Sequence, residues 1–75
     1  MGIIFSDHAK SQRLERKIPK QHVLTTIKSP QKKVESFKSR QLLQRRFGDR
    51  ILEVVTIQED DTLTVITQYW LEEDS

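Results

Sequence analysis

Two β-forming runs around a short polar segment dominate the last third of the chain. Arg50 to Ile57 and Thr62 to Leu71 are rich in β-branched and aromatic side chains, and Gln58-Glu59-Asp60-Asp61 separates them. That is the pattern of a β-hairpin. A turn at Asp60-Asp61 places Leu52 opposite Tyr69, Val54 opposite Thr67 and Thr56 opposite Val65. It gathers Ile51, Val55 and Ile57 with Trp70, Ile66 and Thr64 on the other face. Both faces then carry apolar residues, which predicts two central strands with cover on each side. A slip of one residue would exchange the faces.

The segments before this hairpin are shorter. Gly2-Ile3-Ile4-Phe5 reads as an edge strand. Ser6 is a good helix N-cap, with Asp7 in the first turn, where the helix dipole favours an acid. The spacing predicts a polar helix over Asp7–Lys17 that buries Ala9, Leu14 and then Ile18. Pro19 opens a second helix, Lys20–Lys28, with Val23, Leu24 and Ile27 on one side, and Ser29-Pro30 ends it. Lys33 to Phe37 reads as a weak strand, Lys38-Ser39-Arg40 as its turn and Gln41–Phe47 as a further strand. Gly48-Asp49 is a tight turn into the central pair, which sets Arg45 opposite Leu52 and Arg46 opposite Ile51. The predicted fold class is α+β: a short N-terminal strand and two helices packed on a four-stranded antiparallel meander. One domain over 1–75 is expected, with 72–75 a frayed acidic tail.

Seventy-five residues with 35% hydrophobic content make a thin core, so a homodimer or a partner chain could add burial to a monomer. There is no cysteine, which excludes disulfides and thiolate metal sites and fits a cytoplasmic protein. Ile3-Ile4-Phe5 before Asp7 is too short for a signal peptide or a membrane span. Charge is sharply divided. All thirteen Lys and Arg lie between Lys10 and Arg50, where Glu15, Glu35 and Asp49 are the only acids, giving +10. From Ile51 onward there are seven acids and no base, giving −7. Such asymmetry points to a polyanion-binding surface set against an acidic end. A solvated basic surface is the plainer reading.

The pattern with chemistry in it is Ser6-x-His8-Ala9-x-x-x-Arg13-x-x-Arg16. Arg13 and Arg16 are helix neighbours whose guanidinium groups can converge on one phosphate. His8 lies near the helix N-terminus, where anions are attracted. Metal-independent RNA cleavage needs a base for the 2′-hydroxyl, cations for the pentavalent phosphate and an acid for the leaving oxygen. His8 suits base or acid, Arg13 and Arg16 the anion clamp, and Tyr69 a second proton carrier or a stacking ring. The structural alternative is a capping histidine on a solvated arginine face. His22 lies among polar residues and reads as structural. Arg40, Arg45 and Arg46 form a second cationic group suited to RNA binding. Arg45 and Arg46 point to opposite faces, so one shares a face with the central strands, where a nucleic-acid groove could lie. The alternative is an edge strand guarded by charge. Tyr69 and Trp70 alternate faces, so only one can join the helix-covered core, and the other needs a cover or a ligand. With no H-E-x-x-H, no Cys/His cluster and only Gly2 and Gly48, neither a metal nor a cofactor is expected.

These motifs carry a resemblance. Ser6, His8, Ala9, Arg13, Arg16 and Ile18, then Ser29-Pro30, then Val65-Ile66-Thr67-Gln68-Tyr69-Trp70 resemble a small bacterial domain of unknown function, family 4258, over nearly the whole chain. In layout that family is similar to the RelE/ParE and BrnT-type toxins, an analogy of architecture. The resemblance implies a RelE-like domain and carries His8, Arg13, Arg16, Thr67 and Tyr69 as site positions. It further implies RNA as partner, on or off the ribosome, and an antitoxin protein. Lys17 stands where a glycine is usual, and Pro19 where a Ser or Thr cap is usual. The expected function is RNA binding with metal-independent endoribonuclease activity. The alternative is a non-catalytic module that binds nucleic acid or protein.

Overall fold

The computed structural model describes residues 2–71, the Phe37 side chain excepted, so the acidic tail lies outside the described residues. In chain order the elements are β1 (Gly2–Phe5), α1 (Asp7–Glu15), α2 (Lys20–Lys28), β2 (Lys32–Glu35), a 3-10 turn (Phe37–Ser39), β3 (Arg40–Phe47), β4 (Arg50–Glu59) and β5 (Thr62–Leu71). They form the expected α+β arrangement of two helices on a sheet. The sheet has five strands in the order β1-β5-β4-β3-β2, the expected four-stranded meander with the N-terminal strand at its edge. The meander is antiparallel, and β1 joins its edge parallel to β5, Gly2 beside Thr62 through Phe5 beside Val65. Both hairpin turns fall where the sequence puts them. Gly48 opens the first at φ 68°, and Asp60 opens the second at φ 52°.

α1 stops at Glu15, short of the predicted Lys17. Lys17 adopts φ 55°, its N–H reaches the Leu14 carbonyl at 3.3 Å, and the Ile18 N–H reaches that of Arg13 at 3.0 Å. This pair of bonds is a Schellman stop, which normally places glycine at the left-handed residue. The structure thus accounts for the glycine expected at Lys17. α2 spans its predicted residues, with Pro19 as an N-cap that makes no side-chain bond.

The helices cover one face of the sheet. Ala9, Ile18, Val23, Leu52, Val54, Leu63 and Val65 form the core there, with Ile3, Phe5, Ile27, Phe47 and Trp70 packed against it. Leu14, predicted to be buried, is 69% exposed. It lies five residues after the fully buried Ala9, about 140° round the helix. The predicted second cover is not found either: no described element packs on the opposite face.

The central register agrees with expectation on the turn side, where Thr56 pairs with Val65 and Ile57 with Thr64, and then shifts. Val55 pairs with Thr67, so Ile66 is an extra residue in β5, a β-bulge. Beyond it every partner moves by one: Leu52 pairs with Trp70, Glu53 with Tyr69 and Val54 with Gln68. The bulge therefore turns Trp70 into the helix-covered core and Tyr69 to the uncovered face, reversing the faces expected for both.

Candidate functional site

The register places a row of side chains across the uncovered face: Lys32 on β2 beside Gln44 on β3, then Glu53 on β4, then Tyr69 on β5. Three inter-strand spacings make it about 14 Å long. An apolar or weakly polar row, Val34, Leu42, Val55 and Thr67, flanks it on one side, and Arg46, Ile51 and Leu71 flank it on the other. At its centre Glu53 is only 6% exposed. Gln44 Nε2 donates to Glu53 Oε1 at 2.6 Å, and the Tyr69 phenol donates to Oε2. Burying an acid is costly unless its oxygens are hydrogen-bonded, and here each oxygen has a donor.

These neighbours hold Tyr69 in its protonated form. Its pKa is raised from 10.0 to about 12, first by burial, then by the bond to Glu53 and the Glu53 charge, with Arg16 opposing. The Arg16 guanidinium carbon lies 5.9 Å from the Tyr69 ring centroid. Arg16 reaches this position because α1 docks along β5 beyond the end of β1. Ser6 N–H donates to Val65 O at 3.0 Å, and Ser6 Oγ donates to the carbonyl of the bulged Ile66 at 3.1 Å while accepting from Ala9 N–H at 3.0 Å. Gln68, fully buried, donates from Nε2 to Ala9 O at 2.9 Å. Arg16 donates to Gln68 O at 3.1 Å. The first and last motifs of the chain are thus two sides of one seam.

The predicted site residues fall into separate groups. Arg16 and Tyr69 come together, and Thr67 lies on the same face one row away. Arg40, opposite Ile57, and Arg46, opposite Ile51, also lie on that face. Arg45 lies on the helix-covered face, where it donates to Ser29 O at 2.7 Å. Arg13 and Arg16 do not converge: Arg13 donates to Ile18 O at 3.4 Å, closing its own helix end. His8 sits exposed in the first turn of α1, eight residues and roughly 12 Å along the axis from Arg16.

Sequence reasoning passed over Glu53 and Gln44, whereas it read His22 as structural. Glu53 carried a usable signal, a lone acid inside the apolar run Ile51 to Val55, since acids are almost never fully buried without partners. His22 stacks on Phe47 at 4.3 Å and meets Trp70 edge-on at 6.3 Å, while the Arg50 guanidinium lies 4.2 Å over Trp70. This aromatic cluster closes one end of the core and makes His22 structural.

No described helix is long and apolar enough to cross a membrane. No curated protein and no solved structure matches the chain. The family described as "Domain of unknown function (DUF4258)" matches residues 5–70, a span that takes in the α1 motif, the bulge and Tyr69. The chain belongs to the DUF4258 family.

Proposed function

We propose that the chain is an RNA-binding domain that works through the uncovered face of its sheet. The observation that carries the reading is the placing of the Arg16 guanidinium beside the Tyr69 ring, on a face that also bears Lys32, Arg40 and Arg46. Cations along a surface with a ring at its centre suit a polyanion whose bases can stack. The test is the affinity for a labelled RNA strand measured across salt concentrations. Binding should weaken steeply with salt, and Arg16→Ala or Arg40→Ala should each flatten the slope by about one phosphate contact. No binding at low salt, or an unchanged slope in both variants, would sink the reading.

The second reading adds metal-independent endoribonuclease activity, toxin-like in the sense of the RelE analogy and restrained by a partner protein in the cytoplasm. One observation favours it. In the α1 motif Ser6, Arg13 and Arg16 each hydrogen-bond to the fold, whereas His8 makes no described bond and is exposed. His8 would take the 2′-hydroxyl proton as that oxygen attacks phosphorus, and an acid would protonate the departing 5′ oxygen. Tyr69, protonated beside Arg16 at the far end of α1, is too distant from His8 to serve the same phosphate, so water would supply the proton to the departing oxygen. Cleavage in EDTA leaving 2′,3′-cyclic phosphate ends and lost in His8→Ala is the expected result. Equal products from both proteins would remove His8 from the chemistry.

A further inference from the structure

Glu53 poses a physical question. It is buried on the face that no helix covers, and no Lys or Arg is described beside its oxygens; its partners are Gln44 and Tyr69. Apolar residues of similar size commonly serve folding as well as a buried charge does, and Val55 fills the next position on that face. A buried carboxylate here does one thing that a valine cannot: it fixes the Tyr69 phenol, and with it the plane of the ring. Gln44 in turn fixes the carboxylate, so the brace runs across three strands. Among the described strand residues Tyr69 is the one aromatic on this face, because Phe5, Phe47 and Trp70 join the core.

We propose that Tyr69 is a stacking seat for one unpaired base, so that the ligand is single-stranded RNA; this rests on the RNA-binding reading above. A ring held in place before binding loses little freedom when a base settles on it. Every base offers a face for stacking, so the seat is tolerant of sequence. Arg16 at the β5 side offers a cation to a phosphate that flanks the seated base, and Lys32 at the far end of the row offers one to a phosphate further along the strand. A duplex keeps its base faces stacked internally and cannot present one to a sheet.

The probe is a uridine decamer carrying one central 2-aminopurine, used as a single strand and annealed to its complement. Saturating wild-type protein should quench the 2-aminopurine of the single strand, and the duplex should bind more weakly. Tyr69→Leu should weaken single-strand binding by about tenfold, the size of one lost stacking contact, without changing the salt slope. Tyr69→Phe, which keeps the ring, should stay within about threefold. If Tyr69→Leu does not fold, the wild-type quench and the strand-to-duplex ratio decide. Binding without quenching, or equal affinity for both forms, overturns the seat and leaves RNA binding standing. Failure to bind either form removes the RNA-binding reading and the seat together.

Discussion

Tyr69 is the single tyrosine in the chain, so the tyrosinate absorbance of the folded protein reports one group and no other. Its rise from 10.0 to about 12 is roughly a hundredfold suppression of ionisation. Burial is the largest cause, and Glu53 adds both a hydrogen bond and a negative charge. Glu53→Gln removes the charge and keeps an oxygen that can accept the phenol. The midpoint should therefore fall below the wild-type value yet stay above 10, because the burial remains. Arg16 acts in the opposite sense, so Arg16→Ala should raise the midpoint further. The measurement is an absorbance titration from pH 8 to 13, with circular dichroism to confirm that the chain is still folded. Identical midpoints in wild type and Glu53→Gln would refute the brace on which the site is built. The same raised pKa has a thermodynamic consequence. Its contribution to stability is complete below pH 10 and is lost as the pH rises through about 12. Tyr69→Phe should lack that part of the alkaline loss, and comparing the two proteins removes the background from the lysines.

Other substitutions test the frame that positions the site. Lys17→Gly relieves a left-handed residue and should stabilise the fold by about 1 kcal/mol in urea unfolding; a loss of stability would contradict the helix stop. Ser6→Ala removes both the α1 cap and the donor to the bulge carbonyl, and should cost about 1–2 kcal/mol. Leu14→Glu should change stability by less than about 0.5 kcal/mol because that side chain is exposed. A large loss there would show that α1 is rotated from the position described.

Much of the frame was legible because it rests on local chemistry. Gly48-Asp49 and Asp60-Asp61 mark turns by composition, Ser6 and Asp7 mark a helix start, and Ser29-Pro30 marks a helix end. Pairings next to those turns, Arg45 with Leu52 and Thr56 with Val65, follow directly. The bulge at Ile66 did not show itself. It is held by Ser6, sixty residues away, and no pattern within β5 distinguishes Ile66 from its neighbours. One hidden residue exchanged Tyr69 and Trp70, and with them the faces on which any site could be sought. Helical spacing made Arg13 and Arg16 look like one clamp, yet Lys17 unwinds the chain just past Arg16 and sends the two guanidinium groups to different carbonyls. Glu53 was visible as an anomaly in an apolar run, but its partners became identifiable only once the register was known.

The parallel pairing of β1 with β5 also sets an order of events. The β3–β4 and β4–β5 hairpins join residues close in sequence and can form early, whereas Gly2 meets Thr62 and Ser6 meets Ile66 only by closing a loop of some sixty residues. Contacts of that separation are slow to form, and a seam of few bonds is among the first to open locally. Amide exchange should accordingly be faster in β1 and α1 than in β4. The Arg16 side of the Tyr69 ring would then be made last and lost first, so the cation can leave the ring while the Gln44–Glu53–Tyr69 brace stays intact on the meander.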